Sequence, residues 1–406
     1  MPEGRALTTT MVAQQGPCIY RHGKDKDEKD RDRKKYLDSD SVLWGRRRHV
    51  SMLSGLLSLG FVIAVQLLVI FLCSCLYDYD GSIQQGILGL LSSLSDLTPS
   101  SLFRICIPRI ERGPTLGCAA WVGIQAILYS ILPGKIVHGP PTPGGNTLPY
   151  QMNGMLSWGL SLGMVAIAWY IGGVEVVSSA ARNWKALLAA ASMYGILMSL
   201  LMLVKGYYWP SYPKDRRFSY SIFHDFLSGV ELNPRLGKYW DVKQFQIARL
   251  GMNSWLIVDI SFVALQYERF GAISNSMYIV IILHIIYLAD FFINEDWYLA
   301  TIDIAHDHFG FSLGWGPVAW LPMIYTSQAQ YLALHPVYLS SGSFCAILGT
   351  GIFGYWIFRL ANHEKHLIRQ TKGQCLIAGK KPRVIESQYI TGKGDVHKSL
   401  LLSSGM

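Results

Sequence analysis

The chain has 406 residues, half of them hydrophobic and 16% charged, with a formal net charge of +9. That length would allow two or three soluble domains, but the apolar residues are gathered into long uncharged runs instead of the short periods of soluble helices and strands, which excludes that organisation. A nucleic-acid partner would need the positive charge on a folded basic face with aromatic or groove-entering elements; none is visible, and no nucleic acid is expected.

In chain order, residues 1–49 are polar and carry the mixed-charge stretches 24–29 and 31–35, the composition of a disordered basic tail. The triplet Arg46-Arg47-Arg48 lies just before the first apolar run and, by the positive-inside rule, places the N-terminus in the cytoplasm. Val50 to Tyr77 contains no Asp, Glu, Lys, Arg or His, more than the roughly 20 residues that cross a hydrocarbon core. Such a run must be helical, because lipid cannot satisfy an open backbone. Further runs follow at 115–134, 153–174, 186–204, 250–267, 270–289, 309–334 and 337–358, about eight spans in all. The fifth and sixth carry Asp259 and His284 in mid-run. Segment 81–105 is amphipathic and reads as interfacial or re-entrant. The fold class is therefore all-α, a polytopic transmembrane helix bundle over residues 50–358.

After Phe358 the chain holds nine Lys or Arg against Glu364, Glu386 and Asp395, so this tail too should be cytoplasmic, which agrees with an even span count. Of the seven cysteines, only Cys73-Ser74-Cys75 forms a close pair, and buried free thiols are expected.

Charged groups inside a membrane protein mark sites by default. The stretch from Asp290 to His308 is rich in acids and aromatics (Asp290, Glu295, Trp297, Tyr298, Asp303, Asp307), and an intramembrane cavity lined by these groups is expected. His306-Asp307-His308 lacks the third and fourth ligands of a metal centre, so no metal is expected and a hydrogen-bond cluster is the reading. Gly349-Thr-Gly351-Ile-Phe-Gly354 fits the dinucleotide fingerprint GxGxxG, but it lies inside an apolar run, where small residues serve close helix approach. Lys365 and Arg369, at i and i+4, project from one helix face at the membrane boundary. Chemistry alone leaves two readings open: a grip on the phosphates of NADPH or snorkelling beside anionic lipid.

Gly229-Val-Glu231-Leu-Asn233-Pro234-Arg235-Leu-Gly237, then Asp241-Val-Lys243-Gln-Phe245 and Arg249-Leu-Gly251, resembles a signature of the sterol reductases. Leu313-Gly-Trp315-Gly-Pro-Val-Ala-Trp320-Leu-Pro322 through Tyr331 resembles a second one, and the resemblance covers nearly the whole chain from about Leu43 to Ser404. Residues 294–310, His335-Pro336 and Gln374-Cys375 resemble in particular the branch that reduces the C7–C8 double bond.

The resemblance implies an enzyme of the endoplasmic reticulum membrane that reduces a ring-B double bond of a sterol with NADPH, in a bundle of about ten helices. It implies a sterol substrate, contact with membrane lipid, and association with other membrane proteins of sterol biosynthesis. It assigns Lys365 and Arg369 to the cofactor phosphates and Leu402 to a cofactor contact, within an incomplete cofactor-binding segment 359–406. After Ser404-Gly405 the family pattern continues with a Trp and further helices while this chain ends at Met406, so the later cofactor contacts are expected to be missing and turnover poor.

Reduction of an alkene needs a proton donor that holds its proton at neutral pH, a tyrosine or a buried carboxyl. Tyr325, Tyr298, Glu295, Asp290 and Asp303 are the candidates, each of which could instead be a structural tie. The alternatives are a catalytically silent sterol-binding or heteromer-forming protein and a reductase of the C14 double bond. A transporter would show repeated half-sequences, and none is found.

Overall fold

The computed structural model describes residues 10–12, 19–21, 49–95, 110–391 and 393–402. Arg46-Arg47-Arg48, the charged stretches 24–35, Cys18, Cys106 and Ser404-Gly405 lie outside the described residues.

Seven helices are long and apolar enough to cross a membrane among the described residues. They are α1 (Met52–Asp78), α3 (Arg112–Ile131), α4 (Gly154–Arg182), α5 (Trp184–Tyr208), α6 (Val242–Phe270), α7 (Asn275–Ile293) and α9 (Ser341–Gln370). The short helix α2 (Ile83–Ser95) follows α1. Serine hydroxyls accept from the backbone N–H three residues on at the starts of α1 (Ser51), α7 (Ser274) and α9 (Ser340), the usual device for an orphaned helix donor. Gly271 ends α6 at φ 70°, a left-handed conformation that costs glycine nothing.

The eighth expected run is helical over residues 311–334 but segmented, which is why it is not one long helix. A π-helical turn, Gly316–Trp320, carries Pro317, and Leu321–Tyr325 carries Pro322; each proline removes a helix donor. This stretch, α8, must nevertheless carry the chain across the bundle. Asn275 Nδ2 donates to the Leu339 carbonyl at 2.8 Å and Ser276 Oγ to that of Val337 at 2.7 Å, joining the starts of α7 and α9. At their other ends Arg359 donates to Asn294 Oδ1 at 3.0 Å, and His366 stacks on Trp297 at 4.3 Å. Helices α7 and α9 are therefore parallel, and only α8 can return the chain between them. A Cβ added at Gly351 would strike Leu283, so the glycine of the fingerprint-like sequence serves the close approach of α9 to α7.

Helix α6 is the centre of the bundle and mostly buried, whereas α9 is outermost. Its central place explains why α6 tolerates Asp259 and is less apolar than its neighbours. A second π-helical stretch, Phe245–Met252, packs against the first, with Gly251 against Pro317.

The inter-helix segments 132–153, 209–241 and 294–310 and the C-terminal residues gather at one end, the loop end. There β3 (Lys135–His138) pairs antiparallel with β4 (Pro149–Met152), and β5 (Arg235–Leu236) with β6 (Trp240–Asp241). Helix α9 runs unbroken past position 358, and beyond it β7 (Val384–Ile390) and β8 (Val396–Leu402) form a hairpin. Within the N-terminal stretch expected to be disordered, Thr10–Val12 (β1) and Ile19–Arg21 (β2) extend that hairpin into a sheet of order β2-β1-β7-β8. Strand β1 thereby covers an edge of β7 that would otherwise present unpaired backbone groups.

Candidate active site

The signature stretch from Gly229 to Gly251 forms the floor of the loop end. Glu231 takes Lys205 Nζ at 2.8 Å and the Ser211 N–H at 2.5 Å. Arg235 and Asp241 form a wholly buried ion pair at 3.3 Å, with the guanidinium over the Tyr150 ring at 4.5 Å. Lys243, fully buried, donates to the carbonyls of Asp303, Ile304 and Asp307 at 2.8, 2.9 and 2.6 Å, so its three donors clamp the turn 303–307. Gly229 and Gly310 cross with no room for a Cβ on either, which brings Phe309 N–H to the Glu231 carbonyl.

Glu295 belongs to this floor. Its side chain is 4% exposed and meets Arg249 Nη1 at 2.6 Å, Gln244 Nε2 at 3.0 Å and the Gly154 N–H, at the start of α4, at 2.9 Å. Arg249 also donates to Asn153 Oδ1 and lies over the Tyr129 ring. Both oxygens of Glu295 are thus committed to a buried cation and a helix end.

Tyr298 and Asp303 form a pair, the phenol donating to Asp303 Oδ2 at 2.8 Å. Burial, with Asp303 beside it, pushes the Tyr298 phenol far above its ordinary value. Asp290 is held by Asn294 Nδ2 at 2.9 Å and by Arg359 Nε at 3.4 Å, and Arg359 in turn lies over the Trp297 ring at 4.3 Å. His308 is buried against the Asp215 carbonyl, and burial holds its imidazole well below the ordinary value. Among the described residues no group of three or more His, Cys, Asp or Glu is arranged to hold a metal.

Tyr325 stands apart from these four. It is 47% exposed, none of the described residues hydrogen-bonds its hydroxyl, and its ring meets the Trp255 ring edge-on at 4.9 Å. Trp255 also touches His284 at 5.0 Å and Tyr287 at 5.5 Å, and His284 Nδ1 lies 2.7 Å from Oδ2 of the buried Asp259. Tyr287 reaches Phe358 on α9 at 6.1 Å. This aromatic cluster was missed as a unit. Its signal was in the sequence, since Asp259 and His284 are ionisable residues in mid-run.

Lys365 and Arg369 extend the same helix α9 past the cluster. Both are exposed and their side chains form no ion pair or hydrogen bond with described residues; Lys365 immediately precedes the His366 that stacks on Trp297, and Arg369 lies about one turn after it. From Phe358 to Arg369 the helix rises about 16 Å. Leu402 closes β8, and its side chain lies outside the described set. The structure thus groups Asp290, Tyr298 and Asp303 near the α7–α9 end, puts Tyr325 in the aromatic cluster, and turns Glu295 into the floor.

The profile of the Ergosterol biosynthesis ERG4/ERG24 family matches residues 58–405. The chain is 37% identical over 382 residues to 7-dehydrocholesterol reductase of Xenopus laevis, covering 89% of this chain and 78% of that protein. It is 36% identical over 386 residues to 7-dehydrocholesterol reductase of Danio rerio, covering 89% and 77%. It is also 36% identical over 301 residues to the Delta(14)-sterol reductase of Methylotuvimicrobium alcaliphilum, covering 71% and 64%.

Proposed function

The chain belongs to the ergosterol biosynthesis ERG4/ERG24 family of sterol reductases, and from that premise we propose that it reduces the C7–C8 double bond of a sterol with NADPH in the endoplasmic reticulum membrane, its N-terminus cytoplasmic. The observation that carries the reading is one continuous face: α9 joins a free tyrosine, through Trp255, Tyr287 and Phe358, to two free cations.

The donor set fits the cofactor. A 2′-phosphate or pyrophosphate needs cations that nothing else neutralises, and Lys365 and Arg369 supply a compact ammonium and a bidentate fork on one helix face. Bound there, NADPH would supply the hydride. Tyr325 protonates the alkene carbon: its O–H bond breaks, a C–H bond forms, and the hydride completes the saturated pair. The phenolate then regains a proton from water. Trp255 holds the Tyr325 ring edge-on.

A second reading, reduction of the C14 double bond, is supported by the Delta(14)-sterol reductases among the relatives. Sterol profiling by mass spectrometry, in cells lacking their own reductases, separates the two. Conversion of 7-dehydrocholesterol to cholesterol is expected; accumulation of C14-reduced sterols alone would transfer the assignment, and no change in either would remove it.

A further inference from the structure

Helix α7 turns Leu283, Tyr287 and Asp290 towards α9, while Phe292 and Ile293 lie on another side. There an open groove of about 700 Å³ runs between the β3–β4 hairpin, the first two turns of α4 and the end of α7. That volume is within the range of pockets that hold small ligands. Its walls are apolar, and Leu156, Leu160 and Ile293 are exposed where acyl chains would lie. Gly159 also lines it, and a Cβ added there would meet nothing, so the space above it is open.

At the loop end of the groove four polar side chains converge. Two are already committed: Glu295 to Arg249, Gln244 and the Gly154 N–H, and Asn153 to Arg249 and the carbonyls of Tyr129 and Leu132. Lys135 and Asp296 are not. They carry opposite charges and pair neither with each other nor with another described residue. Two free charges of opposite sign at the mouth of an apolar slot, level with the ends of membrane helices, suit a molecule that carries both signs beside a long apolar body.

We infer that this groove holds one zwitterionic phospholipid, its phosphate on Lys135, its ammonium on Asp296 and an acyl chain along Leu156, Leu160 and Ile293. A sterol hydroxyl would leave both charges unanswered, and an anionic lipid would set unneutralised charge beside Asp296. Tyr325, Lys365 and Arg369 do not line the groove, and the proposal does not depend on the reductase reading.

The test reconstitutes the full chain in vesicles of equal phosphatidylcholine and phosphatidylglycerol. These are doped with a diazirine-bearing analogue of one lipid or the other, and the labelled peptides are mapped by mass spectrometry. The phosphatidylcholine analogue should label residues 155–160 and 293 about threefold more than the phosphatidylglycerol analogue, the size of an exposed ion pair. Gly159→Phe should abolish labelling there with thermal unfolding unchanged. Should that variant fail to fold, Asp296→Lys carries the test, and its labelling should turn towards phosphatidylglycerol. Equal labelling by both analogues, labelling that survives Gly159→Phe in the folded protein, or an Asp296→Lys preference identical to the parent's would each overturn the proposal.

Discussion

Two regions of this bundle are built from the same residue types and treat them in opposite ways. Around Arg249 and Glu295 the buried charges meet one another, a helix end or an aromatic face, and no part of Glu295 is left over. Along the face formed by α6, α7, α8 and α9, Tyr325, Lys365 and Arg369 reach the surface with their polar atoms uncommitted. A charge taken from water must be answered inside the protein or it destabilises the fold. An answered charge is therefore architecture, and an unanswered polar group is what remains available for chemistry.

The sharpest way to break this contrast is Tyr325→Phe. Loss of a positioned proton donor should lower conversion of 7-dehydrocholesterol by about 10²–10⁴-fold, with the unfolding temperature in detergent unchanged. Tyr298→Phe, which removes only a tie to Asp303, should keep most of the activity. The reverse pattern would exchange the roles of the two tyrosines.

The floor should respond in stability first. Arg249→Met strands Glu295 in a buried site and should cost about 3–5 kcal/mol, while Arg249→Met with Glu295→Leu should recover much of it. Chemical denaturation of the reconstituted protein reads both. A single variant as stable as the parent would mean that Glu295 is not tied and returns as a candidate acid.

Smaller, and opposite in kind, is the effect at the two cations. Lys365→Ala and Arg369→Ala should each raise the KM for NADPH by about ten- to a hundredfold, equivalent to about 1.5–3 kcal/mol for a charged hydrogen bond. Stability should stay put. An unchanged KM would leave them as lipid-facing snorkels.

The smallest effect is a pH dependence confined to the floor. Burial depresses the His308 imidazole in the fold, so below the ordinary value of roughly 6.5 the unfolded chain binds a proton that the folded chain refuses. Stability should therefore be full above that pH and fall as acidity increases, and His308→Gln should flatten the curve. His306 is shifted the same way by burial.

The spans were legible because length and absence of charge are local properties; so were Lys365 and Arg369, whose spacing fixes a common helix face. Sequence could not tell Glu295 from Tyr325 as a candidate. Their difference lies in Arg249, 46 positions away, and Trp255, 70 positions away, which only packing brings near. Asp259 and His284 were visible in mid-run, yet their pairing required knowing that α6 and α7 adjoin. Residues 309–334 read as one span because hydropathy is blind to the breaks at Pro317 and Pro322.

The paired π turns have a consequence for the gene. A π turn is wound wider than an α turn, and such bulges occur as single turns within α-helices. Loss of one codon between Phe245 and Met252 would let that stretch relax to ordinary winding with the residues after it near their present faces, whereas loss of Asn253 or Ser254, in the α turn that follows, would turn everything after it by about 100°. In that second case Trp255 would leave Tyr325 and Asp259 would leave His284. An in-frame deletion of three nucleotides at Asn253 or Ser254 should therefore damage this protein more than one inside the π stretch.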